Sequence, residues 1–273
     1  MPILLGLLAS LLIGTSDFLG ARSAGRTTAL QTTTAAFLGG ALAAAVYSPL
    51  LGSPSVRDIA LGAASGVALA IALTTLWRAY ALSSIGVAAP IAAVVSTVVP
   101  VLYAAAGGEV PGILGWIGIM IGVGALFLTS WQPGDAVSRT GVWLGLISGL
   151  FFSAMYLIAI STSDEAGTWP IVSQRATAFV IALCAGLLTR QRPFADRSSV
   201  RASVVAGVFG ASGVAAVVYG GQRGPIAPVV VSGSMYPAVA IALGWAFLGQ
   251  ALTRRQVVGV MAALLGVALI ALD

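Results

Sequence analysis

Roughly ten apolar runs, each about long enough to cross a bilayer, fill this chain of 273 residues. In order they cover 2–20, 29–51, 58–80, 85–106, 111–130, 141–161, 169–189, 202–221, 225–248 and 255–272. Turn-forming segments such as GSPSVRD, WQPGDAVSRT and RQRPFADRSS separate them. The connections are short, so consecutive runs are neighbours. Backbone in hydrocarbon must satisfy its own hydrogen bonds, and continuous runs of this length do so as helices, not barrel strands. Only 8% of residues are charged and mean hydropathy is +1.03. A soluble domain carries about 25% charged residues. The expectation is an all-α, polytopic, multi-pass protein of the cell membrane, in bacterial terms the inner or plasma membrane. Residues 2–20 read as a retained span, because no arginines precede the apolar run as they would in a secretory signal.

Composition excludes several chemistries. The chain has no histidine, which removes Ser-His and Cys-His catalysis and histidine metal ligation together. Its one cysteine, Cys184, lies in an apolar run and reads as a small packing residue. No catalytic residue, metal ligand or cofactor is expected. The formal charge of +5 comes entirely from arginines over acids, and they sit in short loops without forming a basic face, so nucleic acid is not expected as a partner. There is no phosphate-binding loop and no soluble domain, which argues against direct ATP drive.

Two charges interrupt this hydrocarbon. Asp17 lies in MPILLGLLASLLIGTSDFLGA and Arg175 in TWPIVSQRATAFVIAL. A charge at bilayer depth costs roughly 2.5–3.5 kcal/mol on insertion scales, so it faces a partner or a polar pathway. Asp17 and Arg175 are candidates for binding a substrate or a coupling proton; mutual pairing is the structural alternative. Tyr80, Tyr103, Tyr156, Tyr219 and Tyr236 fall inside or near the ends of spans and suit an organic ring or ammonium group. Interfacial anchoring is their alternative role. Pro90, Pro100, Pro228 and Pro237 are expected to interrupt the fourth and ninth helices and are candidate gating hinges, a static kink being the other reading. The GxxxG pairs Gly62/Gly66, Gly118/Gly122 and Gly145/Gly149 read as sites of close helix packing.

The two halves resemble each other. Gly6–Leu11 lines up with Gly145–Leu150, and Thr32–Phe37 with Gln174–Phe179. Pro90 and Pro100 find counterparts in Pro228 and Pro237, and Glu109 before Gly118 in Gln250 before Gly259. A five-helix unit present twice enters the membrane in opposite senses, which is the inverted repeat of many secondary transporters. The expected units are residues 1–131 and 141–273, joined by a linker at 132–140.

Gly14-Thr15-Ser16-Asp17-Phe18, Pro170 to Arg175, Ala88-Ala89-Pro90-Ile91 with Pro100 and Glu109, and Pro237 to Gly249-Gln250 together resemble the EamA-type transporters of the drug/metabolite transporter superfamily. The resemblance runs over essentially the whole chain. This sequence departs at Thr33, where arginine is common, and at Gln250, where glutamate is usual. The resemblance implies a central cavity built from helices 1, 3, 4, 6, 8 and 9, with helices 5 and 10 peripheral. It implies a secondary transporter of a small organic solute, best matched here by an exporter of amino acids or related amphoteric metabolites. A passive channel and a non-transporting scaffold are the other classes. The expected partners are a small-molecule substrate and the lipid bilayer; a homodimer stays open. Arginine counting places both termini outside, whereas the resemblance implies termini inside.

Overall fold

The computed structural model describes residues 1–24, 27–82, 85–130, 138–248 and 253–272. They form α1 (Pro2–Ala24), α2 (Ala29–Leu51), α3 (Val56–Leu82), α4 (Ile85–Ala106), α5 (Ile113–Ser130), α6 (Arg139–Ile160), α7 (Trp169–Leu188), α8 (Arg197–Gln222), α9 (Ile226–Gly233), α10 (Tyr236–Leu248) and α11 (Arg254–Ala271). A single 3₁₀ turn, Asp164–Ala166, precedes α7. Seven stretches are long and apolar enough to cross a membrane, and three apolar helices, Ile91–Ala106, Ile113–Ala125 and Val257–Ile270, are shorter. The chain is therefore an all-helical, multi-pass membrane protein with seven to ten spans.

Local signals set the helix starts. Thr28 and Gln31 form a reciprocal capping box at α2, and Asp196 accepts from the Ser198 and Ser199 amides at α8. The ninth apolar run departs from a single helix. It breaks at Ser234–Met235, just before Tyr236-Pro237. Pro237 disfavours helical backbone at the residue before it and cannot donate to the preceding turn.

The other prolines do not interrupt. Pro228 sits in the first turn of α9, where a missing N–H costs nothing. The fourth helix, expected to be interrupted at Pro90 and Pro100, runs unbroken. The Ser96 hydroxyl, one turn before Pro100, donates to the Ala93 carbonyl at 3.0 Å, and the Thr97 hydroxyl beside it donates across to Ser234 Oγ at 2.7 Å.

Packing follows the small residues. α1 lies against α8, α9 and α10; α6 lies against α3 and α4; α2 packs on α7 and α8; α3 packs on α7; α5 packs on α11. Gly62 and Gly66 press onto Pro170 and Gln174, and Gly149 meets Val95 and the Ala92 carbonyl. A Cβ on Gly118 would stand 2.6 Å from the Gly266 carbonyl oxygen. Where lipid removes the hydrophobic drive between helices, such backbone approach supplies van der Waals contact. The α5–α11 pair turns apolar side chains such as Ile117, Met120, Met261 and Leu265 outward.

One face of the bundle is tied by polar bonds. Ser53 donates its amide to the Glu165 carbonyl at 2.9 Å, Trp169 Nε1 donates to the Gly52 carbonyl at 3.2 Å, and Ser48 and Thr168 share a 2.8 Å hydroxyl contact. Asp58, only 2% exposed, accepts from Ser55 Oγ at 2.5 Å, Ser163 N at 2.9 Å and Ser163 Oγ at 2.7 Å. Toward the opposite face, a cavity of about 360 Å³ opens between the start of α2 and the ends of α3 and α7, lined by Thr33, Phe37, Thr74 and Arg78 among others.

Candidate functional site

The inward stripe of α1 carries Gly6, Ala9, Ser10 and Gly14, all buried. At 100° per residue, Asp17 falls in the middle of that stripe. Yet Asp17 is itself exposed. A side chain that points the way its buried neighbours point, and still keeps accessible surface, borders a void between helices. Ser16 beside it approaches Gly210 of α8, where an added Cβ would sit 2.9 Å from Ser16 Oγ.

Arg175 takes the other side. It is 7% exposed, and Nη2 donates to the Gly210 carbonyl at 3.1 Å. Its guanidinium lies 6.0 Å from the Phe37 ring centroid, and its Cδ faces Gly40 of α2. Nε is buried without a partner. The described ion pairs are Arg57 with Asp58 and Arg223 with Asp164, so Asp17 and Arg175 do not pair with each other.

Tyr156 of α6 shares their surroundings. It is within electrostatic range of both Arg175 and Asp17, and it packs against three of the core clusters. Asp17, Tyr156 and Arg175 are thus gathered from α1, α6 and α7 around one centre. Tyr236, half-buried, opens α10 at the helix break, next to Gly14: an added Cβ there would meet the Tyr236 carbonyl at 2.7 Å.

The remaining tyrosines lie elsewhere. Tyr103 is 62% exposed near the end of α4, beside a surface pocket shared with Glu109 and Ile226. Tyr219 is 44% exposed near the end of α8, its ring 3.7 Å beneath the Arg223 guanidinium. Tyr80 and Pro90 belong to α3 and α4 and Pro237 to α10, but their side chains lie outside the described structure, as does Gln250 entirely. Glu109, part of the family-like segment, accepts from the Ile226 amide at 2.9 Å and so caps α9.

Three polar residues near this centre escape a reading of the sequence. Gln174 is fully buried; its Nε2 donates to Ser65 Oγ at 2.6 Å while Oε1 has no partner. Ser65 passes the chain on to the Met155 carbonyl at 2.9 Å. The Tyr47 hydroxyl is buried and unpartnered, with the Ser212 hydroxyl beside it but outside hydrogen-bond geometry, and Arg175 within electrostatic range. Adjacency to Arg175 is the one signal that could have flagged Gln174. Tyr47, near the end of an apolar span, looks like an interfacial anchor.

No curated protein sequence matches this chain. Twenty-nine solved chains match its fold. One of them, titled only "Crystal structure of protein", superposes with a TM-score of 0.81 over 99% of this chain and 98% of its own, at 16% identity. That likeness speaks for the fold alone. Residues 139–272, which begin with α6 and run through α11, match the EamA-like transporter family. Those residues, the second half of the chain, belong to the EamA-like transporter family, within the drug/metabolite transporter superfamily of membrane transporters.

Proposed function

We propose that this protein is a secondary transporter that moves a small amphoteric metabolite, of the amino-acid class, outward by alternating access. The observation that carries the reading is Asp17: an accessible carboxylate on the inward stripe of α1, with Tyr156 in electrostatic range of both it and Arg175. An acid and a base held apart near a shared tyrosine suit a solute with one cationic and one anionic end. In this reading Asp17 takes the ammonium group or a coupling proton, and Tyr156 and Tyr236 flank the solute's body.

The transporter is read as two inverted five-helix units, 1–131 and 141–273, joined by 132–140. Exchange of helix partners supports this. α1 packs on α8 and α9 as α6 packs on α3 and α4, and α2 packs on α8 as α7 packs on α3. Thr97, three residues before Pro100, donates to Ser234, three residues before Pro237, at 2.7 Å. Contact between residues that the repeat would make equivalent is what a two-fold axis between the halves predicts. The break at Ser234–Met235 beside that contact is the natural flexing point, with Pro100 and Pro237 as its flanking hinges.

Purified protein in liposomes, loaded with a mixture of amino acids, tests the reading by counterflow. The expected result is saturable exchange that Asp17→Asn abolishes. Flux that rises linearly with concentration would point to a channel, and absent flux to a scaffold; either would overturn the proposal.

A further inference from the structure

The buried end of Arg175 is incompletely satisfied. A guanidinium offers five N–H donors, and the described structure gives this one a single acceptor, the Gly210 carbonyl. Nε has none, and no carboxylate among the described residues reaches it. An uncompensated charge in an apolar interior is costly, so such groups are paired or bind a ligand of opposite sign. The surroundings are apolar: Phe37 lies under the guanidinium, and Ile171, one turn earlier on α7, packs with Ala44, Ala211 and Val214.

A second donor waits in the same place. Tyr47 lies two turns beyond Gly40 on α2, and Gly40 is the residue facing Arg175 Cδ. Helical side chains lean toward their own N-terminus, which carries Arg175 toward the level of Ile171, and Tyr47 packs on that same cluster. Its hydroxyl is buried and unused. Two unfilled donors, one cationic and one neutral, therefore converge between α2, α7 and α8.

We infer that Arg175 and Tyr47, with Ser212 beside them, form an anion subsite that takes the carboxylate of the transported solute. The inference rests on the transporter reading and deepens it. One arginine supplies one positive charge in apolar walls, which matches a monocarboxylate; a phosphate group carries up to two charges and needs more donors. The planar guanidinium presents a fork matched to a carboxylate's two oxygens. Asp17 then receives the solute's amine.

Thermal unfolding of the full chain in lipid nanodiscs tests this with defined probes: sodium acetate, glycine, methylamine hydrochloride and sodium phosphate, each against sodium chloride at equal ionic strength. Acetate and glycine should stabilise the wild type over chloride, and acetate should act at lower concentration than phosphate. Tyr47→Phe and Arg175→Gln should each weaken the apparent acetate affinity about tenfold or more, the worth of one hydrogen bond to a charged group. Asp17→Asn should spare acetate and remove glycine's advantage over it. Without probes, Tyr47→Phe should match or exceed wild-type stability, since it deletes an unused buried hydroxyl. The proposal is overturned by equal acetate effects in wild type and Tyr47→Phe, by tighter binding of phosphate, by stabilisation from methylamine alone, or by a probe-free loss of stability in Tyr47→Phe. Should Arg175→Gln fail to fold, Tyr47→Phe alone decides. Saturable counterflow together with no acetate effect would sink this subsite and leave the transporter reading standing. Acetate stabilisation without any flux would do the reverse.

Discussion

Asp58→Asn isolates the polar tie between the α2–α3 connection and the turn before α7. In the native protein Oδ2 accepts from two hydroxyls, Ser55 Oγ at 2.5 Å and Ser163 Oγ at 2.7 Å, and Oδ1 accepts from the Ser163 amide at 2.9 Å. Asparagine keeps one acceptor oxygen and replaces the other with a donor amide, so both hydroxyl bonds must be rebuilt or lost. Hydrogen bonds to a charged group are worth about 1.5–3 kcal/mol each. Rotation of the serine hydroxyls recovers part of this, leaving an expected loss of about 2–4 kcal/mol. Asp58 is 2% exposed, so solvent screening takes little away. Arg57, 70% exposed with its guanidinium 4.0 Å off, contributes about 0–1 kcal/mol, and Arg57→Gln serves as the control. The assay is equilibrium unfolding of the purified protein by steric trapping, as a double-mutant cycle with Ser163→Ala. The expected coupling is about 1.5–3 kcal/mol. A coupling below about 0.5 kcal/mol would refute the reasoning, because residues in real contact couple more strongly.

Three further outcomes are expected. Gly207→Ala would drive a Cβ into the Ala36 carbonyl oxygen, with the Ala36 carbon 2.6 Å away; overpacking of this kind costs about 1–3 kcal/mol or more, read as a lowered thermal midpoint. Thr97→Val removes the donor to Ser234 and should cost about 0.6–2 kcal/mol, non-additively with Ser234→Ala. Hydrogen bonds from the Ser198 and Ser199 hydroxyls and amides hold the exposed Asp196 carboxyl well below the usual carboxylate range. A carboxyl whose folded pKa is depressed contributes stability that is present above its unfolded pKa of about 3.9 and is lost as pH falls further. Asp196→Asn should therefore flatten the acid limb of the stability profile below about pH 4 and change its shape little at neutral pH.

Hydrophobic length made the helices legible. α2 and α4 begin and end where apolar runs begin and end, and most other helices differ by a few residues. The sequence also marked the ninth run as irregular through its prolines. It could not tell which proline breaks a helix, because that depends on what sits beside it. α4 runs through Pro100, with Thr97 three residues before it bonded to Ser234, while Pro237 follows a Ser-Gly-Ser-Met stretch where the helix stops. Asp17 and Arg175 stood out because charge is rare in hydrocarbon. Tyr47, Gln174 and Asp58 did not, since their meaning lies in partners far along the chain: Ser163 is 105 residues from Asp58, and Ser65 is 109 from Gln174. The tyrosines divided for the same reason. Tyr156 is central because α6 packs on α3 and α4, and Tyr103 is peripheral because it lies near the end of α4, facts that spacing along one helix does not carry.

The bonds joining Gly52–Asp58 to Ser163–Trp169 give the bundle two unequal doors. On that side four hydrogen bonds, counting the Ser48–Thr168 contact one turn earlier, tie the two segments together. On the far side, beyond the last turns of α1, a hollow already waits next to Phe37. A solute arriving there meets open space, and one arriving from the bolted side meets a wall. If Asp17 is the binding group proposed above, this asymmetry predicts that it loads from one compartment, the one that bathes the arginine-rich loops.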